Sequence, residues 1–443
     1  MLRSDSLSEA TGLRVAITTL GCKVNQYDST AIARALEQRG CAIVEFDQAA
    51  DVYIVNSCTV TDRADAESKQ LARRARRQNP KAKVIVTGCF AQVAPHRAAI
   101  PEVDAVIGLN RLDDLVQAVC KEIGAQILVN DLRTARKVRT VGAGAPLGHT
   151  RAFLKVQEGC DLFCSFCIVP MSRGASRSVP PRQVLEEYES LADAGVQEIV
   201  LTGVHLGAWG NDLSPRLELA DLVEMLAERG RIPRLRLSSI DPPEVTPRLL
   251  RLLETVPELC PHFHIPIQAG VDSVLRRMRR RYDTAFVRSL VTEIRRQFPD
   301  AAIGTDIIAG FPGEDAAEFQ QGLEFFESLP LTYFHVFPYS VRQGTTAAKL
   351  PGHLPPQVVH ERARKVRALG SCKRETFARQ FVGRELQVLI EERQRRGGYA
   401  AGYSRNYQRV FVSGLPPTNA EIAVRIVAQE EGRLLGVWTK QVA

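Results

Sequence analysis

Cys160, Cys164 and Cys167 stand as C-x3-C-x2-C directly after the apolar run RAFLKVQEG, in the loop EGCDLFCSFCIVPMSRG that closes one strand-like segment. Five further strand-like runs follow, QEIVLTGV, RLRLSSI, HFHIPIQ, AIGTDIIAGF and YFHVFPYSV, with helical patterns between successive members. Repeated βα units of this kind close, fully or partly, into a parallel barrel that carries its functional groups on the loops after its strands. Six units fall short of the eight of a complete barrel. A partial (β/α)6 barrel with an open side is therefore expected, with the cysteine loop at its mouth.

The chain has 443 residues, which at roughly 100 to 200 residues per domain leaves room on both sides of such a barrel. Upstream, RVAITTLG, CAIVEF, DVYIVNS and KVIVTG alternate with helical patterns, among them a long basic helix and LDDLVQAVCKEI. This is the pattern of a doubly wound α/β domain, expected over 11–140. The basic, glycine-rich segment KVRTVGAGAPLGHTR (137–151) reads as a linker, and the barrel is expected over 146–376. Over 377–443 the runs GRELQVLIEE, YAAGYSRNYQRVFV and EIAVRIVAQEEGRLLGVW read as strands of a small antiparallel, all-β barrel. The first twelve residues lack an apolar signal region, and no stretch approaches the ~18 apolar residues of a membrane span, so a cytoplasmic protein without a membrane partner is expected.

In that reducing compartment the ten cysteines point to metal binding or catalysis rather than disulfides. Iron-sulfur cubanes usually take four cysteines, so the three of C-x3-C-x2-C would leave one iron open to a small molecule. A structural zinc site is the alternative, but it wants a fourth Cys or a His, and no His lies within ten residues of these three cysteines. Cys22, Cys58 and Cys89 are far apart in sequence, yet each directly follows a strand. In an open parallel sheet those strand ends share one ligand-binding edge, so these three can share a second cluster; burial as ordinary small thiols is the competing account. Cys41, Cys120, Cys260 and Cys372 read as packing residues.

Together, TLGCKVNQYDS, VNSCTVTDRADAESKQ, VTGCFAQ and EGCDLFCSFCIVPMSRG resemble the methylthiotransferase family of radical S-adenosylmethionine enzymes over nearly the whole chain. The resemblance implies an N-terminal domain with an auxiliary cluster, a radical S-adenosylmethionine core and a C-terminal RNA-binding TRAM domain. It also implies two [4Fe-4S] clusters and S-adenosyl-L-methionine. The cluster on Cys160, Cys164 and Cys167 would cleave that cofactor to a 5′-deoxyadenosyl radical, and the one on Cys22, Cys58 and Cys89 would hold or supply sulfur. LGCKVNQYDS, RRARRQNP, HIPIQAG and FHVFPYSVRQGT most resemble the branch acting on threonylcarbamoyladenosine in tRNA. Other branches act on isopentenyladenosine in tRNA or on a ribosomal-protein aspartate. The SSIDP run departs from many relatives without touching a ligand. The implied partners are a tRNA anticodon stem-loop, an electron donor of flavodoxin or ferredoxin type, and a sulfur donor. A metal-stapled RNA-binding protein without turnover is the reading from another class.

Residues that hold the cofactor should lie at the C-terminal ends of barrel strands. By position these are Gly203, His205, Ser238, Ser239, Gln268, Asp306, Tyr339 and Ser340, together with Arg173 just beyond the cysteine loop. Arg173 could clamp a cofactor or substrate carboxylate bidentately, or make a structural ion pair. The net charge of +8 favours a polyanionic partner. Two basic surfaces qualify: Lys69, Arg73, Arg74, Arg76 and Arg77 on the basic helix, and Arg393, Arg395, Arg396, Tyr399, Tyr403, Arg405, Tyr407 and Arg409 in the last domain. Arginines interleaved with tyrosines suit phosphate contact with base stacking, given that the tyrosines are exposed. RRMRRR at 276–281 reads as outer surface of a barrel helix.

Overall fold

Tyr53, Ile54 and Val55 in VYIVNS are all buried, so that strand is covered on both faces. In the computed structural model, which describes residues 12–121, 126–135, 138, 150–393, 398–414 and 416–438, it lies inside a six-stranded parallel sheet. The strands are β1 (Arg14–Thr19), β2 (Ala42–Val44), β3 (Val52–Ser57), β4 (Lys83–Thr87), β5 (Ala105–Ile107) and β6 (Gln126–Leu128), in the order β2-β1-β3-β4-β5-β6. Successive residues feed opposite cores: Val15, Ile54 and Ile85 pack on one face, Ala16, Tyr53, Val55 and Val84 on the other. The order reverses between β1 and β3, the switch point at which open α/β sheets bind ligands. Helix α1 (Lys23–Glu37) follows β1 and the basic helix α2 (Asp62–Gln78) follows β3. β5 and β6 go beyond the four strands expected from sequence. Each is three residues long, too short to show a period.

The second body is the expected partial barrel. β7 (Arg151–Glu158), β9 (Glu198–Gly203) and β10 (Arg234–Leu237) form one parallel run, with the two-residue β8 (Arg177–Ser178) antiparallel to β7 at its edge. β11 (His262–His264), β12 (Ala302–Ala309) and β13 (Tyr333–Pro338) form another. Single bridges, Leu235 to Leu259 and Ser239 to His264, join the two runs into one curved wall. The wall is open beside β7, where Tyr27 and Ala31 of α1 pack on Phe153. Most of the 137–151 linker lies outside the described residues.

Helix Pro356–Arg379 leads into a closed barrel of β14 (Glu385–Arg393), β15 (Tyr399–Ser404), β16 (Arg409–Ser413), β17 (Ala420–Glu430) and β18 (Arg433–Trp438). It is antiparallel except that β16 pairs with β18 in parallel, a departure from the all-antiparallel expectation. Phe377 and Phe381, edge to face at 5.1 Å, enter its core of Val388, Val410, Val424 and Ile426. The barrel is docked by buried charge. Arg234 and Arg236, both fully buried, ion-pair with Glu198 and donate to the backbone carbonyls of Tyr403, Ser404 and Arg405. No helix among the described residues is long and apolar enough to cross a membrane.

Candidate cofactor centre

The loops after β1, β3 and β4 are knitted together by short polar side chains. Asn25 donates to the carbonyls of Leu20 (2.7 Å) and Ser57 (3.0 Å), Asn56 donates to the Asn25 carbonyl (2.8 Å), and Ser57 donates to the Thr87 carbonyl. Cys22 caps α1 after β1, Cys58 directly follows β3, and Cys89 stands in the first turn of the helix Gly88–Val93 after β4. At Gly21, with φ of +96°, a Cβ would stand 2.9 Å from the Cys58 sulfur, so only glycine lets the first loop approach the second this closely. Burial, then the neighbouring Cys89, pushes the Cys58 thiol up to about 12. Burial likewise raises Cys89, with Cys22 among its neighbours and Arg173 opposing. Buried thiols of this kind ionise at neutral pH when a metal supplies the positive charge, and the exposed Cys22 stands beside these two, a donor set that fits a cluster.

Cys160, Cys164 and Cys167 form the second trio. Gly159 turns at φ +76° where a Cβ would collide with the Ala175 carbonyl. The loop is held from across the barrel: the Ser165 N–H donates to the Met278 carbonyl (3.0 Å), its hydroxyl to the Arg277 carbonyl (2.8 Å), and its own carbonyl accepts from Ala347 (2.7 Å). Burial pushes Cys167 up to about 12. Arg280 reaches the Cys164 sulfur at 3.2 Å while ion-pairing with Asp241. This corrects the reading of RRMRRR as outer surface. The helix ends at Arg277, so Met278 turns fully inward and Arg280 follows it, while Arg276, Arg279 and Arg281 stay exposed.

The strand-end residues separate into groups. Gln268, Asp306, Tyr339 and Ser340 line one cavity of about 170 Å³ with Cys167 and with Val60 and Thr61, which directly follow Cys58 and Thr59. Of the six cysteines Cys167 lines this cavity, and the first sheet reaches it through the segment just after Cys58. Gln268 holds φ at +74°, a strained conformation for a residue with a side chain, of the kind found at ligand sites. The hydroxyls of Ser238 and Tyr339 are buried without a hydrogen-bond partner, as groups awaiting a polar ligand would be. Ser239 contacts His264 Nδ1 at 2.7 Å. Gly203 packs against Gln157. His205 sits between Glu244, 2.5 Å away, and Cys160; burial opposes its protonation, but these two acidic partners raise it to about 10. Ser340 binds Asp62 at the start of α2, tying the barrel to the first domain.

Arg173 is buried and its guanidinium is engaged: Glu158 at 2.5 Å, Asn25 at 2.5 Å and Asp28 at 2.9 Å. Of its two expected roles, the geometry displays the ion pair. Lys155 completes the network with Asp28 (2.7 Å) and Glu158 (3.0 Å). Burial works against the Glu158 carboxylate, yet Arg173 and Lys155 hold it down at about 2. Asn25, Asp28, Lys155 and Glu158 were not among the expected site residues. The opposite charges of Lys155 and Glu158, three apart in the strand pattern RAFLKVQE, were the available signal.

The basic surfaces are thinner than expected. Arg76 is taken up by Asp104 (2.7 Å) and the carbonyls of Pro80, Ala82 and Glu102, and Arg73 lies near Glu102. Tyr403 and Tyr407 are half-buried and stack on each other at 4.9 Å, with Arg151 over one ring and Arg236 over the other, so they serve docking as well. Arg405 pairs with Glu421. Arg395, Arg396 and the Arg393 side chain lie outside the described residues. On α2 Arg74 and Arg77 stay exposed, and a cleft of about 660 Å³ lies between the barrel wall and the last domain, lined by Tyr333, His335, Arg374, Tyr407, Arg409 and Arg433. Cys372 is exposed, contrary to its reading as a packing residue.

Residues 14–108 match the model described as Uncharacterized protein family UPF0004, and residues 154–326 match the Radical SAM superfamily. A threonylcarbamoyladenosine tRNA methylthiotransferase of Bacillus subtilis (strain 168) is 37% identical over 408 residues, covering 90% of each chain. One from Aquifex aeolicus (strain VF5) is 38% identical, covering 86% of this chain and 94% of that one. Among solved structures, the radical S-adenosylmethionine methyltransferase TsrM of Kitasatospora setae superposes with a TM-score of 0.51 at 17% identity, covering 74% of this chain and 77% of that one. That last likeness concerns the fold.

Proposed function

The chain belongs to the family of threonylcarbamoyladenosine tRNA methylthiotransferases, which are radical S-adenosylmethionine enzymes, and from this premise we propose that it replaces the C2 hydrogen of threonylcarbamoyladenosine next to the tRNA anticodon by a methylthio group. The observation that carries the reading is the single cavity onto which the loop after Cys58 and the loop of Cys167 both open. Cys160, Cys164 and Cys167 would hold one [4Fe-4S] cluster, and Cys22, Cys58 and Cys89 the second. An aromatic C–H has no useful acidity, so the clusters and S-adenosylmethionine, when bound, supply the one-electron chemistry and sulfur handling that side chains lack.

The chain's own groups bind and orient. Ser238 and Tyr339, with their unpartnered hydroxyls, and Gln268 would fix the cofactor at the strand ends. Phe166, Ile168, Ile308 and Phe337 line the cavity with apolar surface and keep water from the reacting centre. Arg280 places positive charge beside the Cys164 sulfur, working against the burial that raises that thiol, and His205 lies beside Cys160. Arg173 fixes the first domain against the barrel, and with it the spacing of the trios.

The tRNA would lie along the cleft by the last domain. Arg433→Ala is expected to weaken tRNA binding several-fold and to lower the slope of log affinity against log salt by about one, read from binding isotherms at several salt concentrations. The reading also calls for an electron donor of flavodoxin or ferredoxin type, a sulfur donor, and a cytoplasmic location. After anaerobic reconstitution we expect about eight irons and eight sulfides per chain. About four irons would remove the second cluster. Mass spectrometry of tRNA nucleosides from a deletion strain tests the substrate: an unchanged methylthio-threonylcarbamoyl nucleoside would overturn it.

A further inference from the structure

His264 ends β11, Asp306 lies in β12 and His335 in β13, directly across the strand pair from Asp306. One donor atom from each lies within 4.8 Å of the other two. His264 Nε2 is 3.1 Å from Asp306 Oδ1, and His335 Nδ1 is hydrogen-bonded to the same oxygen at 3.3 Å. Two donors held about 2.1 Å from one ion at 90–110° stand about 3.0–3.4 Å apart, so both separations are those of neighbouring ligands on a common metal.

The second observation concerns His264 itself. It is 7% exposed, its Nδ1 is taken by the Ser239 hydroxyl at 2.7 Å, and its Nε2 makes no hydrogen bond despite facing a carboxylate oxygen. A hydrogen bond needs the N–H aimed along the line to its acceptor. An ion shared by two donors sits beside that line, about 40° off it when the bonds are about 2.1 Å. A bent, close approach of imidazole nitrogen to carboxylate is thus the geometry of a ligand pair. The contact from Ser239 to Nδ1 is the kind of outer-shell bond that fixes which nitrogen binds the metal.

We propose that His264, Asp306 and His335 form a mononuclear site for a divalent first-row transition cation, separate from both cysteine trios. Two imidazoles and one carboxylate suit such ions and leave coordination positions open. Asp306 lines the cavity beside Cys167 and His335 lines the cleft by the last domain, so the ion stands where the two spaces meet. On the substrate proposed above, those open positions take the carboxylate and carbamoyl oxygens of the threonylcarbamoyl group. That clause rests on the substrate reading; ion binding does not.

The test is an anaerobic titration of the cluster-reconstituted, chelator-washed protein with Mn2+, followed by the electron paramagnetic resonance signal of the free ion while the clusters are oxidised and silent. We expect about one Mn2+ bound per chain, displaced by Zn2+, and at least about tenfold weaker binding in His335→Ala and in Asp306→Asn. The His335 side chain is 55% exposed, so its removal leaves packing intact. Iron content, measured in the same samples, reports any loss of clusters separately. No Mn2+ bound by the wild type, or equal binding by wild type and both variants, overturns the site. If tRNA methylthiolation persists in a preparation that binds no ion, the site falls and the substrate reading stands.

Discussion

Cys164→Ala is expected to abolish cleavage of S-adenosylmethionine and to lower iron from about eight to about four atoms per chain, whereas Cys58→Ala leaves cleavage in place and stops methylthiolation. The fall should exceed about 100-fold in each case, since even partners outside a metal's direct ligands cost about 10- to 100-fold. The asymmetry follows from position. Cys164 sits in the barrel loop braced by Arg280, at the mouth where a barrel binds its cofactor, while Cys58 lies at the switch point of the other sheet. Neither change should unfold the protein, because the loops are held by Ser165, Asn25 and Asn56 rather than by the thiols. Cleavage assayed as methionine release, beside nucleoside mass spectrometry, checks the pair. If both variants still methylthiolated tRNA, the assignment of two trios would be wrong.

The second large effect lies at Glu198. Its carboxylate is fully buried between Arg234 (2.8 Å) and Arg236 (2.7 Å). Glu198→Gln leaves the buried Arg236 without a carboxylate partner and Arg234 with Glu421 alone at 3.5 Å, a loss of about 3–5 kcal/mol. The melting temperature should drop by roughly 10 °C at about 2–4 °C per kcal/mol. The last barrel should loosen first, since the same arginines hold its backbone. The pH dependence follows. Burial alone would raise the Glu198 carboxyl, but Arg236 and Arg234 hold it down at about 2 instead of 4.5. A carboxyl depressed in the folded state stabilises fully above its unfolded value and loses that contribution as pH falls through the folded one. Stability from this pair should therefore be complete above about pH 4.5 and vanish toward pH 2, with a flatter acid limb in Glu198→Gln scans.

The succession of strands along the chain, and the place of Cys22, Cys58 and Cys89 just after three of them, were legible because periodicity and strand-end position are local properties of a sequence. The six barrel strands and the switch from helical to all-strand pattern near Phe377 fall where the apolar runs place them. What was hidden depends on partners far along the chain. Arg280 looks like any member of a basic run until the helix is seen to stop at Arg277 and the chain to turn inward. Tyr403 and Tyr407 carry the composition of an RNA surface, yet Arg151 and Arg236, arriving from barrel strands, occupy much of their faces. Short strands such as β5 and β6 hold too few residues for a pattern and exist because a neighbour offers an edge.

The contacts of α1 with the barrel have a consequence in time. Tyr27 bonds Glu187 from 160 residues upstream, and Asn25 meets Arg173 across 148. Chains emerge from the ribosome N-terminus first and fold domain by domain as they do. The sheet bearing Cys22, Cys58 and Cys89 can thus be complete while its later cover is still being translated. During that interval Cys22, Cys58 and Cys89 lie open on the side that Arg173 later covers.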